Sequence, residues 1–491
     1  MNKIMKKNHF SLWRKARLLS VAAVGALLLS SCAQDGFDDE KYDNGVYNTQ
    51  LEAPSADDIT VTASPEGSQQ TISWPVVFGA GGYHVVLENS SSGELVVDSV
   101  FDGTSFATAR IGDTNYKLSL SVEGNEDRGN IGSEPVIKEF NTFTPAFASI
   151  PAGQDIAAWF DANPIPSDAP EGELCYDLEP GGEYTMSKSI DFLGNQVTLR
   201  TADKKNPATV TMTANASFMT YTGMTLKYLN IDCTASAEPL IKLSANPDES
   251  IKGVISGSNN YYDIQLPITI DGCNVENMRG TLFYDNKLKY GLNMLLITNS
   301  VIHLAFDGVG KVNDQAVIAA YNGYINTFTI QNSTVWNSGA TDAAKYFVRY
   351  NNSGRCDRAG YSACYVNFNN NTLYNLFNSE GQMCNYSALA GRADSNYSIT
   401  NNIFVGCGAQ VARRIVAGRL GSGPAKFLNN TYMDMDGAFQ SVDGSCAGYD
   451  DSGTAIEEEP DFADAPNGNF SISASKQAQL GTGDPRWLPA N

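Results

Sequence analysis

The chain has 491 residues, of which 42% are hydrophobic and 18% are charged, and its formal net charge is −21. This excess of acidic residues argues against nucleic acid as a partner, because a protein that binds phosphates needs a basic surface. A chain of this length also exceeds what one hydrophobic core normally supports, so we expect more than one domain.

The first 32 residues are predicted to be a targeting segment rather than part of the fold. Six basic residues precede an apolar run from Leu18 to Leu29, and Ser30-Ser31-Cys32 follows. This arrangement resembles a bacterial lipoprotein signal peptide, whose cleavage leaves Cys32 as the lipidated first residue. An ordinary secretory signal with an unrelated cysteine is the alternative. Cleavage would leave 27 Lys and Arg against 54 Asp and Glu, a formal charge of −27.

Residues 33–50 are predicted to be an acidic tether. The tract from Asp35 to Glu40 contains four acidic residues. It resembles the acidic export signals of Bacteroidota lipoproteins, which implies a place on the outer face of the outer membrane; a solvated linker is the alternative. We therefore expect a protein that a lipid anchors to the outer membrane at the cell surface.

Residues 51–143 are predicted to form a β-sandwich. Five stretches alternate apolar and polar residues, and turns rich in Gly, Asn and Ser separate them. They are Ile59–Thr62, Thr71–Trp74, Tyr83–Leu87, Leu95–Val97 and Tyr116–Val122. Trp74, Tyr83 and the phrase Tyr116-x-Leu118-x-Leu120 resemble the marks of a fibronectin type III module. His84 is interpreted as a strand-face residue rather than a ligand.

Residues 144–170 are predicted to be a linker that contains a capping helix. The stretch 154–163 places Ile156, Trp159 and Phe160 at helical spacing, and a proline follows it. Such a helix would cover the open end of a following solenoid, whose unpaired strand edges otherwise favour aggregation. Trp159 is accordingly interpreted as a core residue rather than a ligand-binding aromatic.

A short phrase, apolar-x-Asn-Asn/Ser-x-apolar, recurs in the rest of the chain, residues 171–491. Clear copies begin at Ile330, Phe368, Ile399 and Phe427, and weaker ones at Leu226, Ile270 and Ile297. The anchors are 44, 27, 33, 38, 31 and 28 residues apart. A repeat in this range with irregular spacing indicates a solenoid whose loops vary in length over a constant core.

The residue types indicate which solenoid this is. Each copy is rich in Ile, Val, Thr, Phe and Tyr and lacks a helical period, so it is typical of two short strands. Asn-Asn or Asn-Ser marks the bend between them, because Asn tolerates the left-handed conformation. With coils about 4.8 Å apart, equivalent Asn and Ser side chains would stack and bond to each other. The sequence therefore predicts an all-β chain whose second domain is a right-handed parallel β-helix, with Asn332, Asn370, Asn401 and Asn429 in one column.

Eight cysteines remain after Cys32, and they show no metal-ligand spacing. Cys233 and Cys273, in or beside the repeat, are predicted to pack inside as small apolar residues. Cys356 and Cys364 flank a short loop and could pair, because the predicted export places them in a compartment that permits disulfides.

The order of these segments carries a further resemblance. A lipoprotein signal, a fibronectin-like module, the phrase Leu-Glu-Pro-Gly-Gly-Glu-Tyr at 178–184, Asn-rich coils and the ending Asp-Pro-Arg-Trp at 484–487 resemble Bacteroidota surface lipoproteins with a pectate-lyase-like β-helix. Such proteins accompany polysaccharide-utilisation systems, which implies a plant or host glycan as ligand and other glycan-uptake proteins as partners. The resemblance supplies no catalytic residues that can be carried over.

The later coils are basic although the chain is acidic. Between Lys345 and Lys426 there are nine basic and three acidic residues, with tyrosines interleaved. Arg binds carboxylates bidentately, and aromatic rings offer sugars a flat apolar face. A groove that holds an anionic, pectin-like polysaccharide is therefore predicted; the alternative is that these arginines pair locally at the surface. The candidate glycan-binding residues are Arg349, Tyr350, Arg355, Arg358, Tyr321, Asp285, Arg392 and Arg413.

Three segments with candidate residues follow apolar stretches in successive coils. They are Tyr284-Asp285-Asn286, Ala320-Tyr321-Asn322 and Arg349-Tyr350-Asn351. Aligned with one another, they would form a vertical stripe on one face of the β-helix, with Asp285, Tyr321, Arg349 and Tyr350 exposed. Such a stripe would let a solenoid contact a linear polymer residue by residue.

Catalytic residues are not evident in the sequence. An inverting glycoside hydrolase needs two carboxylates about 6.5–9.5 Å apart, and no close Asp pair lies on a repeat strand. A polysaccharide lyase would need an Arg or Lys base, with Ca²⁺ as a cofactor if a cation neutralises the uronate. His303, the only histidine of the predicted β-helix, is interpreted as structural rather than as a base. We expect a glycan-binding protein without a cofactor; a lyase and a purely structural surface protein remain the alternatives.

Overall fold

The computed structural model describes residues 45–64, 69–90, 92–253, 261–350, 363–386, 395–416, 425–440 and 449–489. The predicted signal segment, Cys32 and most of the tether lie outside these ranges. The chain divides between Phe143 and Thr144 into two compact units. None of the helices in the described ranges combines the length and the hydropathy that a membrane span requires.

The first unit is a sandwich of two antiparallel sheets, ordered β1-β2-β5 and β4-β3-β6-β7. Both sheets contribute to one core, in which Trp74 contacts Tyr83 and Phe106 at ring-centroid distances of 5.4 and 6.2 Å. His84 lies on a strand face, as expected, with its Nε2 2.7 Å from Asp98 Oδ1. The strands are β1 Thr60–Ala63, β2 Gln69–Ser73, β3 Gly82–Asn89, β4 Glu94–Phe101, β5 Ser105–Ala109, β6 Asn115–Glu123 and β7 Val136–Asn141.

The second unit is a right-handed parallel β-helix, as predicted. The chain visits three parallel sheets in turn, which we call sheets 1, 2 and 3, and buried apolar side chains from all three fill the interior. Sheet 1 contains β8 Ala148–Ile150, β9 Glu173–Leu178, β12 Gln196–Thr201, β15 Met224–Lys227, β20 Ile268–Asp271, β23 Tyr290–Thr298, β26 Tyr324–Gln331, β29 Cys364–Asn369, β32 Ser395–Thr400 and β34 Ala425–Leu428, with β18 Lys252–Gly253 and β19 Tyr261–Ile264 at its side.

The other two sheets complete the coils. Sheet 2 contains β10 Glu183–Met186, β13 Ala208–Met212, β16 Leu229–Asp232, β21 Asn274–Met278, β24 Val301–Leu304, β27 Thr334–Asn337, β30 Thr372–Phe377, β33 Ile403–Cys407 and β35 Thr431–Met433. Sheet 3 contains β11 Ile190–Asp191, β14 Phe218–Thr220, β17 Ile241–Leu243, β22 Phe283–Tyr284, β25 Ala316–Ala320, β28 Tyr346–Tyr350 and β31 Gln382–Asn385. The α-helices are α1 Ile156–Ala162, α2 Val411–Ile415 and α3 Lys476–Leu480.

Asn332, Asn370, Asn401 and Asn429 lie in one column at the bend between sheets 1 and 2, as predicted. Each has a positive φ, between 49° and 56°, which asparagine tolerates better than most residues. Each Nδ2 donates to the Oδ1 of the asparagine one coil earlier over 3.0–3.3 Å, and the first of these bonds reaches Asn299. These side chains are half-buried on the outside of the bend, so the column forms an outer ladder.

A second, inner ladder is formed by the residue that follows each of these asparagines. Its members are fully buried and are Ser300, Ser333, Asn371, Asn402 and Asn430. The side-chain oxygen of each later member accepts the backbone N–H of the member one coil before it, over 3.0–3.2 Å. The inner ladder therefore satisfies the backbone donors that the bend removes from the sheets.

The cysteines follow the predicted packing where the structure describes them. Cys233 and Cys273 are buried in the core of the β-helix, which confirms the prediction. Cys364 is also buried, with its Sγ 3.2 Å from Ser395 Oγ. Its predicted partner Cys356 lies outside the described residues, so that pairing stays a prediction.

Helix α1 packs on the first coil, where the sequence predicts a cap. Asp155 begins it as N-cap, and its Oδ1 accepts the Ala158 N–H over 2.8 Å. Phe160 and Trp159 meet the ring of Tyr176 edge-on at centroid distances of 4.9 and 5.9 Å, so Trp159 is a packing residue, as interpreted. Strand β8, just before the helix, adds one strand to sheet 1 beyond the first coil.

The C-terminal segment lies along the outer face of sheet 2. Phe470 packs against Trp336 and Trp487, with centroids 6.1 and 5.9 Å away. The buried Asp484 accepts a hydrogen bond from Thr334 Oγ1 over 2.8 Å, and Trp487 Nε1 donates to the same hydroxyl. The Asp-Pro-Arg-Trp ending is thus an anchor that covers several coils from the side.

Candidate functional site

Long stretches of chain connect some strands of sheet 3 to the strands before or after them. Thirteen residues separate β28 from β29 and eleven separate β24 from β25, whereas only two separate β26 from β27 at the asparagine bend. Long loops on a rigid scaffold are where binding residues concentrate. The strand register places Lys242, Tyr284, Ala319, Arg349 and Asn385 in one outward column on this face.

Arg349 is held between two tyrosine rings in this column. Its guanidinium carbon lies 4.4 Å from the ring centroid of Tyr321 and 5.0 Å from that of Tyr346. Its Nη1 donates to the backbone carbonyl of Asp314 over 2.5 Å. No carboxylate among the described residues forms an ion pair with Arg349. Within these residues, its half-buried guanidinium is oriented by two rings and a carbonyl and not by an acidic group.

The alternation of arginine and tyrosine continues into the next coils. Arg414 of α2 interacts electrostatically with the phenols of Tyr346 and Tyr449, and Arg413 lies over the Tyr449 ring at 5.9 Å. Burial, followed by the adjacent Arg413 charge, lowers the pKa of the Arg414 guanidinium. The buried Nε atoms of both arginines have no hydrogen-bond partner in the described part of the chain. We call Tyr321, Arg349, Tyr346, Arg414, Tyr449 and Arg413 the Arg–Tyr band.

A turn with a strained backbone at Asp314 lies at the end of the Arg–Tyr band that contains Arg349. Asp314 has a φ of 50°, and its backbone carbonyl receives the Arg349 hydrogen bond. Its Oδ1 lies 3.8 Å from Lys287 Nζ, while its buried Oδ2 has no hydrogen-bond partner in the ranges described. Because non-glycine residues with positive φ cost free energy, the surrounding contacts must hold this turn in place.

A cavity of about 520 Å³ lies at the other end of the Arg–Tyr band. Its lining combines amides and two carboxylates with apolar side chains and includes Phe377, Asn378, Gln410, Asp434, Met435, Asp436 and Gln440. Gln410 joins it to the band, because its Oε1 accepts a hydrogen bond from Arg413 Nη1 over 2.9 Å. The cavity therefore offers hydrogen-bonding groups and an apolar wall next to the cationic surface.

The predicted exposed stripe is wrong for Asp285 and Tyr350. Tyr284 and Arg349 pair with Ala319, not with Ala320. The predicted alignment of the three segments is therefore wrong by one residue for the segment that begins at Ala320. Because successive side chains of a strand point to opposite faces, this shift turns Asp285 and Tyr350 into the interior. They are 1% and 3% exposed.

The interior contacts of these two residues explain their burial. Tyr350 packs on Tyr386 with ring centroids 5.1 Å apart. The Asp285 carboxylate accepts the backbone N–H groups of Lys287, Asn322 and Gly323 over 2.8–3.1 Å. Burial nevertheless dominates and raises the pKa of Asp285 to about 7. Both side chains support the coil from inside and cannot meet a ligand at the surface.

The remaining predicted site residues divide into two groups. Tyr321, Arg349 and Arg413 are brought together in the Arg–Tyr band, whereas Arg355, Arg358 and Arg392 lie outside the described residues. Sequence reasoning left Arg414, Tyr346 and Tyr449 out of the site, although Arg414 directly follows a candidate and Tyr346 belongs to the interleaved tyrosines. In the ranges described, no group of three His, Cys, Asp or Glu residues could hold a metal ion.

Comparison with known proteins finds matches to three family models and to solved structures, two of which are described below. The models, each described as a domain of unknown function, are DUF4992 over residues 5–181, DUF4957 over 182–338 and DUF5123 over 366–487. No curated protein matches the sequence. A pectate lyase from Erwinia chrysanthemi, solved in complex with tetragalacturonic acid, is 10% identical over 68% of this chain and 88% of that one, with a TM-score of 0.20. A family 28 exopolygalacturonase from Yersinia enterocolitica is 8% identical over 79% and 96% of the two chains, with a TM-score of 0.17.

Proposed function

We propose that this protein binds an anionic, uronate-containing polysaccharide along the Arg–Tyr band of its β-helix. The observation that carries the proposal is Arg349, a guanidinium fixed by two rings and one carbonyl and left without a carboxylate in the described residues. An oriented guanidinium is well suited to a carboxylate, which it binds through two parallel hydrogen bonds. A uronate of the glycan would supply that carboxylate.

The tyrosines favour an anionic sugar over anions that lack an apolar ring face. Tyr321, Tyr346 and Tyr449 alternate with the arginines and present flat apolar faces beside cationic groups. A uronate polymer has the matching alternation, because each pyranose ring carries an apolar face and a carboxylate at its rim. Successive coils lie about 4.8 Å apart, so an extended chain along sheet 3 would meet a new coil at each step.

The rest of the chain is consistent with a role at the cell surface. Under this proposal, the lipid on Cys32 anchors the protein to the outer membrane, and the acidic tether and the first unit stand between that anchor and the β-helix in the chain. The protein would work with other glycan-uptake proteins and would capture polysaccharide without cleaving it. The strong negative charge elsewhere in the chain would direct an anionic polymer to the basic coils.

The test is a binding titration of the mature protein with polygalacturonate, fully methyl-esterified pectin and a neutral galactan. We expect polygalacturonate to bind best, and we expect the double variant Arg349→Gln/Arg414→Gln to weaken that binding by at least about tenfold, because charge-assisted hydrogen bonds are lost. Arg128→Gln is the matched control, since Arg128 also lies over a tyrosine, Tyr47, at 5.5 Å, but in the first unit. Its affinity should equal that of the wild type.

Two results would count against this function. Equal binding of polygalacturonate by the wild type and the double variant would remove the Arg–Tyr band as the site. A rise in the ultraviolet absorbance of unsaturated uronate during incubation, absent from a protein-free control, would instead show β-elimination and favour the lyase alternative. Repeating that incubation with a chelator would report whether a cation such as Ca²⁺ takes part.

A further inference from the structure

A hydrogen-bonded series of three side chains crosses successive coils on the outer face of sheet 2. Glu276 lies in β21, His303 in β24, and Ser338 directly follows β27. His303 Nε2 is 2.8 Å from Ser338 Oγ, and its Nδ1 is 3.1 Å from Glu276 Oε2. This is the order of contacts that nucleophilic catalysis requires: a hydroxyl beside a base, and the base oriented by a carboxylate.

The imidazole of His303 is held firmly in this position. It stacks on Trp336 with the ring centroids 3.9 Å apart and the planes 7° from parallel. Trp336 is itself covered by Ala465 and Phe470 of the C-terminal segment. His303 is 8% exposed, so packing restricts its ring while leaving Nε2 directed at Ser338.

The carboxylate determines which nitrogen carries the proton. The hydrogen bond from His303 holds the pKa of the Glu276 carboxyl below its usual value, so Glu276 is an acceptor at neutral pH. The ionised carboxylate favours the tautomer with the proton on Nδ1, in which Glu276 accepts the Nδ1–H over 3.1 Å; in the other tautomer Nδ1 accepts the backbone N–H of Asn277 over 3.4 Å. With the proton on Nδ1, Nε2 has a lone pair that can accept the Ser338 O–H.

Ser338 is accessible although its base is buried. Its side chain is exposed, and the residues that follow it are the small Gly339 and Ala340. A serine in such an open turn can be reached by a group carried on a large polymer as well as by a small molecule. Ser379, which follows β30 in an equivalent turn, is exposed too, but it has no hydrogen bond to a histidine among the described residues.

We infer that Ser338, His303 and Glu276 form a second site, which hydrolyses carboxylic esters that carry a small acyl group. Ser338 Oγ attacks the ester carbonyl carbon and forms a bond to it while His303 Nε2 takes the hydroxyl proton. The bond from that carbon to the alkoxy oxygen then breaks, and the proton on Nε2 passes to the departing alcohol. Water hydrolyses the acyl-serine in the same way and releases the carboxylic acid.

This site is separate from the Arg–Tyr band. It lies on sheet 2, whereas the band extends from sheet 3 to helix α2, which packs against β31. In this site Ser338 would be the nucleophile and His303 the base, and Glu276 would be a positioning residue that acts through His303. Loss of glycan binding in Arg349→Gln/Arg414→Gln would therefore leave the esterase inference intact. Loss of ester hydrolysis in Ser338→Ala would likewise leave the proposed glycan binding intact.

The test is covalent labelling of the full mature protein with an alkyl fluorophosphonate, followed by peptide mapping and by hydrolysis of p-nitrophenyl acetate. The probe phosphonylates an activated serine and releases fluoride. We expect the label on Ser338, its loss together with ester hydrolysis in Ser338→Ala, and normal behaviour in the matched control Ser379→Ala. His303→Gln should lower the labelling rate by about 100-fold or more, the usual size of a general-base effect.

The Glu276→Gln variant distinguishes a role of Glu276 in positioning His303 from a purely structural role. It should lower the maximal labelling rate while leaving the apparent affinity for the probe unchanged, because the carboxylate orients the base without touching the probe. A labelling rate at Ser338 no higher than that at Ser379 would overturn the inference. An undiminished labelling rate in His303→Gln would overturn it too. Ser338 is exposed, so Ser338→Ala should fold normally, and an unchanged melting temperature would verify this.

Discussion

Replacing Asn402 by leucine should destabilise the β-helix by about 3–5 kcal/mol, because several buried hydrogen bonds disappear together. Asn402 Oδ1 accepts from the backbone N–H and the Nδ2 of Asn371, and its Nδ2 donates to the carbonyl of Phe368 and to Asn430 Oδ1. Leucine has the same branching at Cγ but satisfies none of these groups. The buried N–H of Asn371 and the carbonyl of Phe368 would then lack partners.

Urea unfolding of the Asn402→Leu variant measures this effect, and Asn401→Gly is its matched control. Asn401 belongs to the half-buried outer ladder, and glycine tolerates its φ of 56°. Water can reach a half-buried amide and replace its hydrogen bonds, so the control should lose only about 1 kcal/mol or less. Equal losses in the two variants would show that the inner ladder does not contribute more than the outer one.

The stability difference between the wild type and Asp285→Asn should change by about 4 kcal/mol between acid and neutral pH. Burial raises the folded-state pKa of Asp285 from its ordinary value of 3.8 to about 7. Between these two values the unfolded chain ionises and the folded one does not, so the unfolded state is favoured as pH rises. The contribution of Asp285 to stability is therefore full below about pH 4 and lost above about pH 7.

The asparagine variant lacks this titration, so the wild type should lose its advantage over Asp285→Asn as pH increases. Urea unfolding of both proteins at several pH values between about 4 and 8 measures the change. Asp161→Asn is the control, because Asp161 is exposed and pairs with the exposed Lys188. A stability gap between wild type and Asp285→Asn that stays constant across this range would contradict a raised pKa for the buried carboxyl.

The fold could be predicted from the sequence because its repeating element is local. The Asn-Asn and Asn-Ser bends join two short strands within one phrase, and the φ values near 50° are those that asparagine favours. The recurrence of this phrase was enough to predict the column of Asn332, Asn370, Asn401 and Asn429. The second, inner ladder was less evident, since whether the first or the second residue of each pair faces inward depends on backbone geometry at the bend.

The candidate sites were harder to predict because they depend on register between coils. Strand β25 is buried along its whole length, Ala316–Ala320, so it shows no alternation from which the inward positions could be read. The alignment through Ala320 instead of Ala319 turned Asp285 and Tyr350 to the wrong face. Ser338, His303 and Glu276 lie 35 and 27 residues apart in the chain, and only the coil register brings them into contact.

The central claim, that the Arg–Tyr band holds an anionic polysaccharide, is tested most directly by a crystal structure of the mature protein with a short oligogalacturonide. We expect a uronate carboxylate within hydrogen-bonding distance of the Arg349 or Arg414 guanidinium, with sugar rings against Tyr321, Tyr346 or Tyr449. An oligosaccharide bound on another face of the β-helix, with the Arg–Tyr band empty, would contradict it.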